Sequence, residues 1–203
     1  MKYLESFSDS KNSDILFIVD VQKSFSEYFT EMYVNELKNL SKEFNEVYQI
    51  WDNHFLGKNV KKSYLYRDNP LTPVTDEFYK FGEKSLIEKR YNYDVDVNFY
   101  KSILDKQTYS EMKRKESNNL FKEGDKFKTT KGTYLIKINN NHIWFEVPKK
   151  MVNLFKKLKG KEVIVTGGGD SECLQDIFVA AESFGLKPKR RWRYIYTASH
   201  SPS

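Results

Sequence analysis

The chain has 203 residues, of which 39% are hydrophobic and 31% are charged, and its formal net charge is +6 at pH 7. This length and apolar content favour one compact domain, residues 1–203, over two domains or a disordered chain. The sequence has no run of about 18 apolar residues and its residues 1–13 are polar, which argues against a membrane span and a secretory signal. A soluble, cytoplasmic protein is therefore expected, and its one cysteine, Cys173, has no partner for an internal disulfide.

The first predicted elements form a βαβ unit. Residues 14–19 are a β-rich, largely apolar run of the kind that is buried on both faces of a parallel sheet, and this run stops at Asp20. Apolar residues then recur at helical spacing over 33–44, and a second strand is predicted over 46–51.

The middle of the chain, residues 58–131, is interpreted as an insertion or lid. Turn signals cluster at 69–73, a strand candidate occupies 85–89, and a charged helical patch lies around 110–120. No linker in this region is distinct enough to indicate a domain boundary.

The last third of the chain alternates helices and strands. A helix is predicted over 148–160 and a third parallel strand over 162–166. The glycine turn at 167–169 then leads into a helix that ends at Gly185, and a further strand is predicted over 192–196. This alternation predicts an α/β fold of three layers, α/β/α, with a mostly parallel, doubly wound central sheet of Rossmann-like topology.

Two chemically able residues follow predicted parallel strands. Asp20 and Cys173 are both expected at the carboxyl edge of the sheet, where open α/β sheets place their sites. Cys173 falls in the first turn of its helix, where backbone N–H groups and the helix dipole lower the pKa of a thiol and stabilise a developing oxyanion. The three glycines at 167–169 allow the close approach that such a turn needs.

Two segments resemble the isochorismatase-like hydrolases, the superfamily that includes the nicotinamidases. Asp20, Gln22 and Phe25 have the spacing of the opening D-x-Q-x-x-F motif of that family. Residues 163–174 resemble its strand, glycine turn and T-D-x-C-V segment, and the resemblance continues to Gly185. It implies an isochorismatase-like fold whose catalytic residues include Asp20 and Cys173.

The cysteine segment departs from the family pattern in its details. Asp170 and Ser171 stand where the family usually has threonine and aspartate, so the cap of the cysteine helix differs. Gly168 and Gly169 stand where the family usually has a cis peptide.

The resemblance also implies a catalytic lysine, which holds the cysteine and aspartate in a charged state. Lys137 is the preferred residue because its strand is followed by the predicted helix 148–160 and the cysteine strand, as a right-handed βαβ crossover requires. Lys89 is the alternative. The segment around Lys137 also fits a plain β-hairpin, with turn residues at 139–141 between two alternating runs.

The family's chemistry implies a Cys-Asp-Lys triad that hydrolyses the C–N (amide) bond of a small molecule and requires no cofactor. Asp20 would take the thiol proton, the Cys173 thiolate would attack a carbonyl carbon, and N–H groups near Gly169 and Cys173 would hold the oxyanion. The alternative is a catalytically inactive protein of the same fold that acts as a binding or structural module in an assembly.

A metal site is a further possibility implied by the resemblance, since nicotinamidases carry one that begins D-W-H. Here Asp52 and His54 have the D-x-H spacing after the second strand. They could bind zinc or a similar divalent metal, but the other histidines, His142 and His200, are distant in sequence, and two ligands rarely hold a catalytic metal.

The remaining predictions concern ligands and partners. Phe25, Trp51 and Trp144 are candidate contacts for an aromatic or small amide substrate. The family commonly pairs subunits, so the resemblance implies a dimer or larger homo-oligomer. A nucleic acid or another polyanion is a candidate ligand of one basic cluster, although a solvated strand edge is the favoured interpretation of it. This cluster consists of Lys187, Lys189, Arg190, Arg191 and Arg193.

Overall fold

The computed structural model of the chain describes residues 13–52, 78–83, 85–92, 97–138, 144–170 and 173–197. The strands in these ranges are β1 (Ile15–Val19), β2 (Glu46–Asp52), β3 (Ser85–Asn92), β4 (Lys126–Lys128), β5 (Tyr134–Lys137), β6 (Trp144–Val147), β7 (Glu162–Gly168) and β8 (Lys187–Tyr196). The α-helices are α1 (Glu31–Ser41), α2 (Lys106–Ser117), α3 (Lys149–Lys157) and α4 (Cys173–Ser183), and short 3₁₀ helices occupy Lys23–Tyr28 and Val97–Tyr100.

One sheet contains all eight strands, in the order β4-β5-β6-β3-β2-β1-β7-β8. The five strands from β3 to β8 in this order are mutually parallel, whereas β6 pairs with β3 in the antiparallel direction. Counted along the chain, the parallel strands stand in the order third, second, first, fourth, fifth. The predicted α/β class with a mostly parallel sheet is therefore confirmed.

Strand β1 lies in the interior of the sheet, as its apolar sequence predicts. All five of its residues are buried, and it pairs with β2 on one side and β7 on the other. A strand that is covered on both faces needs apolar side chains in both directions, which explains why β1 does not alternate with polar residues.

Helices cover both faces of the parallel strands and produce the three layers. The core beneath α1 contains Leu16, Ile18, Val34, Leu37 and Leu40. The core beneath α3 and α4 contains Phe17, Val19, Ile50, Phe155 and Ile177. None of the helices in the described ranges has the length and apolar character to cross a membrane.

The segment 58–131, expected to be an insertion or lid, contributes directly to the central sheet. Its strand β3 pairs in parallel with β2, and Ile87 belongs to the same core as β1. Helix α2, the 3₁₀ helix Val97–Tyr100 and β4 instead belong to a separate apolar cluster with β5 and β6. Residues 58–77 lie outside the described ranges, so the interpretation of 58–131 as an insertion or lid stays a prediction.

The hairpin interpretation of the segment around Lys137 is confirmed. Strands β5 and β6 are antiparallel, with Lys137 opposite Trp144. The connection between them, 138–143, is too short for the crossover that joins two parallel strands. Helix α3 therefore follows an antiparallel strand, and the expected βαβ crossover from the strand of Lys137 is corrected.

Candidate functional site

The carboxyl ends of the parallel strands bring together residues that are far apart in sequence. Asp20 follows β1, Lys89 lies on β3, the glycine turn ends β7, and Tyr196 ends β8. After β1 the chain adds β2 and β3 on one side of it and then β7 and β8 on the other side, so the switch point lies between β1 and β7. Such a switch point leaves a crevice outside the strand ends, which is where open α/β sheets bind ligands.

Asp20 and Lys89 form a buried ion pair. The Nζ atom of Lys89 contacts Oδ2 of Asp20, and their side chains are 0% and 2% exposed. Two buried charges are tolerated in a protein interior when they are paired in this way, because their mutual attraction offsets the cost of removing each from water. Lys89 reaches Asp20 across the one intervening strand, β2.

The backbone of Asp20 is held in an unusual conformation. Its φ is 54°, in the left-handed region that costs a non-glycine residue about 1–2 kcal/mol. The Asp20 N–H donates to the carbonyl oxygen of Ile50 at 2.8 Å, and its own carbonyl oxygen accepts from the Tyr196 hydroxyl at 2.8 Å. These bonds from β2 and β8 offset the strain and orient the residue.

The glycine turn is packed too closely for side chains. A Cβ at Gly167, whose φ is 107°, would lie 2.0 Å from the carbonyl oxygen of Val19. A Cβ at Gly168 would lie 1.6 Å from the ring of Tyr196. The glycines therefore allow β7 to approach β1 and allow the Tyr196 ring to lie over the turn, as the close approach predicted from the sequence requires. The described part of the chain contains no cis peptide bond.

Cys173 is the first residue of α4 and is partly buried. The turn before it is closed by a hydrogen bond from the Leu174 N–H to the carbonyl oxygen of Gly169, at 3.0 Å. Gly169 has a φ of 65°, and residues 171 and 172 lie outside the described ranges. The sulfur is thus placed at a helix N-terminus next to the glycine turn, where the helix dipole favours negative charge.

The pKa of the Tyr196 phenol depends on the charged groups at this edge of the sheet. Burial is the largest cause that raises its pKa, electrostatic interactions with Asp20 and Cys173 raise it further, and Lys89 lowers it. Tyr196 therefore stays protonated and acts as a hydrogen-bond donor. Asp20, Cys173 and Lys89 therefore all influence the charge state of this one hydroxyl.

Lys137 does not lie at this point, and the expectation that it approaches Asp20 is corrected. Strand β5 is four strand spacings from β1, a separation of about 19 Å that a lysine side chain cannot bridge. The Lys137 Nζ instead lies 5.1 Å from the centroid of the Trp144 ring, and burial lowers its pKa. The alternative lysine, Lys89, is the one that contacts Asp20.

The predicted substrate contacts are all core residues in this structure. Phe25, Trp51 and Trp144 are 9%, 2% and 2% exposed. Phe25 packs against Tyr28 at a centroid distance of 6.3 Å, and Trp51 lies at the end of β2. Trp144 belongs to the cluster beneath α2, away from Asp20. Of the three, Trp51 lies near the carboxyl end of β2 and Phe25 follows Asp20 by five residues, so only these two are near the edge where Asp20 lies.

The predicted metal ligands lie outside what the structure describes, since neither the side chain of Asp52 nor any part of His54 is included. Across the described ranges, no group of three or more His, Cys, Asp and Glu residues is placed to hold a metal ion. The metal site remains a prediction.

The basic cluster follows the edge strand β8, which ends the strand order. Lys189 pairs with Glu162 at 2.6 Å, Arg190 with Asp170 at 3.2 Å, and Arg191 with Glu43 at 3.4 Å. Several of its charges therefore have acidic neighbours, and binding of a polyanion to this strand stays a prediction.

Tyr196 is the site residue that sequence reasoning missed. Its sequence position indicates only that it belongs to the last predicted strand, 192–196. A tyrosine that ends a parallel strand beside a glycine turn is a usable signal, because the ring can occupy the space that a missing Cβ leaves.

No known protein family, curated protein or solved structure significantly matches this chain.

Proposed function

We propose that the protein is a cysteine-dependent hydrolase of the isochorismatase and nicotinamidase type that cleaves the amide bond of a small molecule. The observation that carries this proposal is the buried ion pair of Asp20 and Lys89 at the strand edge from which Cys173 begins its helix. The order of the parallel strands, with the switch point between β1 and β7, supports the finer proposal of an isochorismatase-like, Rossmann-like topology.

In the proposed reaction, Asp20 accepts the proton of the Cys173 thiol while Lys89 offsets the negative charge of the two groups. The thiolate attacks the amide carbonyl carbon and forms a tetrahedral oxyanion. The C–N bond breaks, the amine leaves with the proton that Asp20 held, and an acyl thioester remains on Cys173. Water, deprotonated by Asp20, then releases the acid and restores the thiol.

Backbone N–H groups are the proposed oxyanion donors. The N-terminus of α4 places the amide of Cys173 beside the glycine turn that contains Gly169. Fixed donors of this kind stabilise the oxyanion because they need no reorientation as charge develops. No metal or organic cofactor is needed for these steps.

Reaction with p-nitrophenyl acetate tests the proposal without knowledge of the natural amide. We expect intact-protein mass spectrometry to show an acetyl thioester on Cys173 that forms and is then hydrolysed, so that p-nitrophenolate is released over many turnovers. Asp20→Asn should slow turnover by about 100-fold or more, because general-base catalysis of this kind contributes on the order of 100 to 10,000-fold.

Cys173→Ala is the control for adventitious acetylation of lysines. Turnover that persists in Cys173→Ala, or an acetyl group on Cys173 that is never hydrolysed, would contradict the proposal. A panel of small primary amides that includes nicotinamide, assayed by ammonia release, would then identify the substrate class of an active enzyme.

A second candidate is an inactive protein of the same fold that serves as a binding or structural module. The observation that favours it is the burial of the polar pair, since Asp20 and Lys89 are 1% and 0% exposed as whole residues. A pair that only ties β1 to β3 would leave the reactivity of Cys173 unchanged when either partner is replaced.

A further inference from the structure

Outside the proposed triad, the hydroxyl of Tyr196 is buried next to the strand ends. Its ring lies over Gly168, and its hydroxyl donates to the carbonyl oxygen of Asp20 at 2.8 Å. The two residues are 176 positions apart in sequence. This bond therefore connects the last strand of the sheet to the residue proposed as the general base.

We propose that Tyr196 is a positioning residue, which fixes Asp20 in the left-handed conformation from which its carboxylate serves both Lys89 and Cys173. This inference rests on the proposed function, because it assigns a role in the same site. It adds a fourth residue that neither the sequence motifs nor the proposed triad includes.

Two geometric facts support this role. The hydroxyl bonds the backbone of Asp20 rather than its carboxylate, so it constrains the residue without competing for the charge. The ring itself is held by neighbours, with centroid distances of 5.1 Å to Phe29 and 6.0 Å to Tyr33. A donor that is fixed at both its ring and its hydroxyl can hold a strained backbone in place.

The raised pKa of Tyr196 agrees with a donor role. Burial and the electrostatic interactions with Asp20 and Cys173 all favour the neutral phenol, so the hydroxyl keeps its proton across the working pH range of most enzymes. The residue does not exchange a proton in the reaction.

Tyr33, on α1, supplies a matched control because its hydroxyl bonds the same strand, β8. Its partly buried hydroxyl donates to the carbonyl oxygen of Tyr194, two residues before Tyr196, at 2.9 Å. Tyr33→Phe and Tyr196→Phe each remove one phenol oxygen and one hydrogen bond to a backbone carbonyl, and each leaves the ring in place. Only the second of these bonds reaches Asp20.

The experiment compares wild type, Tyr196→Phe, Tyr33→Phe and Asp20→Asn by thermal unfolding, by turnover of p-nitrophenyl acetate, and by the pH profile of Cys173 alkylation with iodoacetamide. We expect Tyr196→Phe to lower kcat by about 10-fold with KM unchanged, since small displacements of catalytic groups cost this much or more. Its alkylation profile should move in the same direction as that of Asp20→Asn, while Tyr33→Phe keeps the wild-type profile.

The outcomes separate the inference from the proposed function. If Asp20→Asn changes turnover and the profile but Tyr196→Phe matches Tyr33→Phe, the tyrosine is merely structural and the inference is overturned while the proposed function stands. If Asp20→Asn changes neither quantity, the proposed function fails and the inference fails with it. Equal losses of thermal stability in the two tyrosine variants do not affect this comparison.

Discussion

Lys89→Met is expected to destabilise the protein by about 3–5 kcal/mol, the cost that follows when one partner of a buried ion pair is removed. The ammonium of Lys89 contacts the Asp20 carboxylate in a place where both side chains are almost wholly excluded from water. The measurement is the free energy of unfolding from chemical denaturation at neutral pH.

Lys115→Met is the matched control for this prediction. Lys115 pairs with Asp125 at 2.8 Å, but the two side chains are 20% and 18% exposed. Water already screens this pair, so its loss should cost no more than about 1 kcal/mol. Equal losses for the two lysines would show that the buried pair contributes no more than this partly exposed pair.

Gly167→Ala is expected to prevent folding or to cost more than about 4 kcal/mol, the range reached by the most damaging single substitutions. A methyl group at this position would lie 2.0 Å from the carbonyl oxygen of Val19 and 2.6 Å from its nitrogen. Both are backbone atoms of the strand that pairs with β7, so they cannot move aside without separating the sheet.

Gly160→Ala is the control that measures the cost of the left-handed backbone conformation without a steric clash. Gly160 also has a positive φ, 79°, but no atom lies within 4 Å of the position that its Cβ would take. It should therefore lose only about 1–2 kcal/mol of stability, the cost of the left-handed conformation. A loss as small for Gly167→Ala, measured by the same denaturation experiment, would contradict the close approach of β1 and β7.

The parallel part of the fold could be predicted because its elements have clear local patterns. Strand β1 is five consecutive buried apolar residues, and α3 has buried side chains at Met151, Val152, Leu154 and Phe155. Patterns of this kind depend on burial within the element itself. These patterns indicate which segments form the core. Asp20 and Cys173 follow two of the predicted strands, so the strand ends indicate where both residues lie.

Strand β3 and the choice of lysine could not be predicted in the same way. Strand β3 lies in the interior of the sheet, yet two of its buried residues, Glu88 and Lys89, carry ionisable side chains. Its sequence therefore has the charge content of a surface segment, and the partner that permits burial of Lys89 is 69 residues away. Chain order favours Lys137 only if its strand leads into a βαβ crossover, whereas the chain forms a hairpin there.

Tyr196 illustrates the same limit at the other end of the chain. Its place on the last strand follows from its sequence, but its hydrogen bond to Asp20 depends on the packing of β8 beside β7 and of β7 beside β1. Contacts across three strands are set by tertiary structure, so no local pattern in the sequence indicates them.

The pH dependence of Cys173 alkylation tests the central claim most directly, namely that Asp20, Lys89 and Cys173 form one reactive centre. Lys89→Met should move the midpoint to higher pH by about one unit or more, because a cation that favours the thiolate is removed. Asp20→Asn should move it to lower pH, because Lys89 then acts on the sulfur alone. Lys137→Met should leave it unchanged, since about 19 Å exceeds the screening length in physiological salt. Identical midpoints in all four proteins, or a shift produced by Lys137→Met alone, would contradict the account.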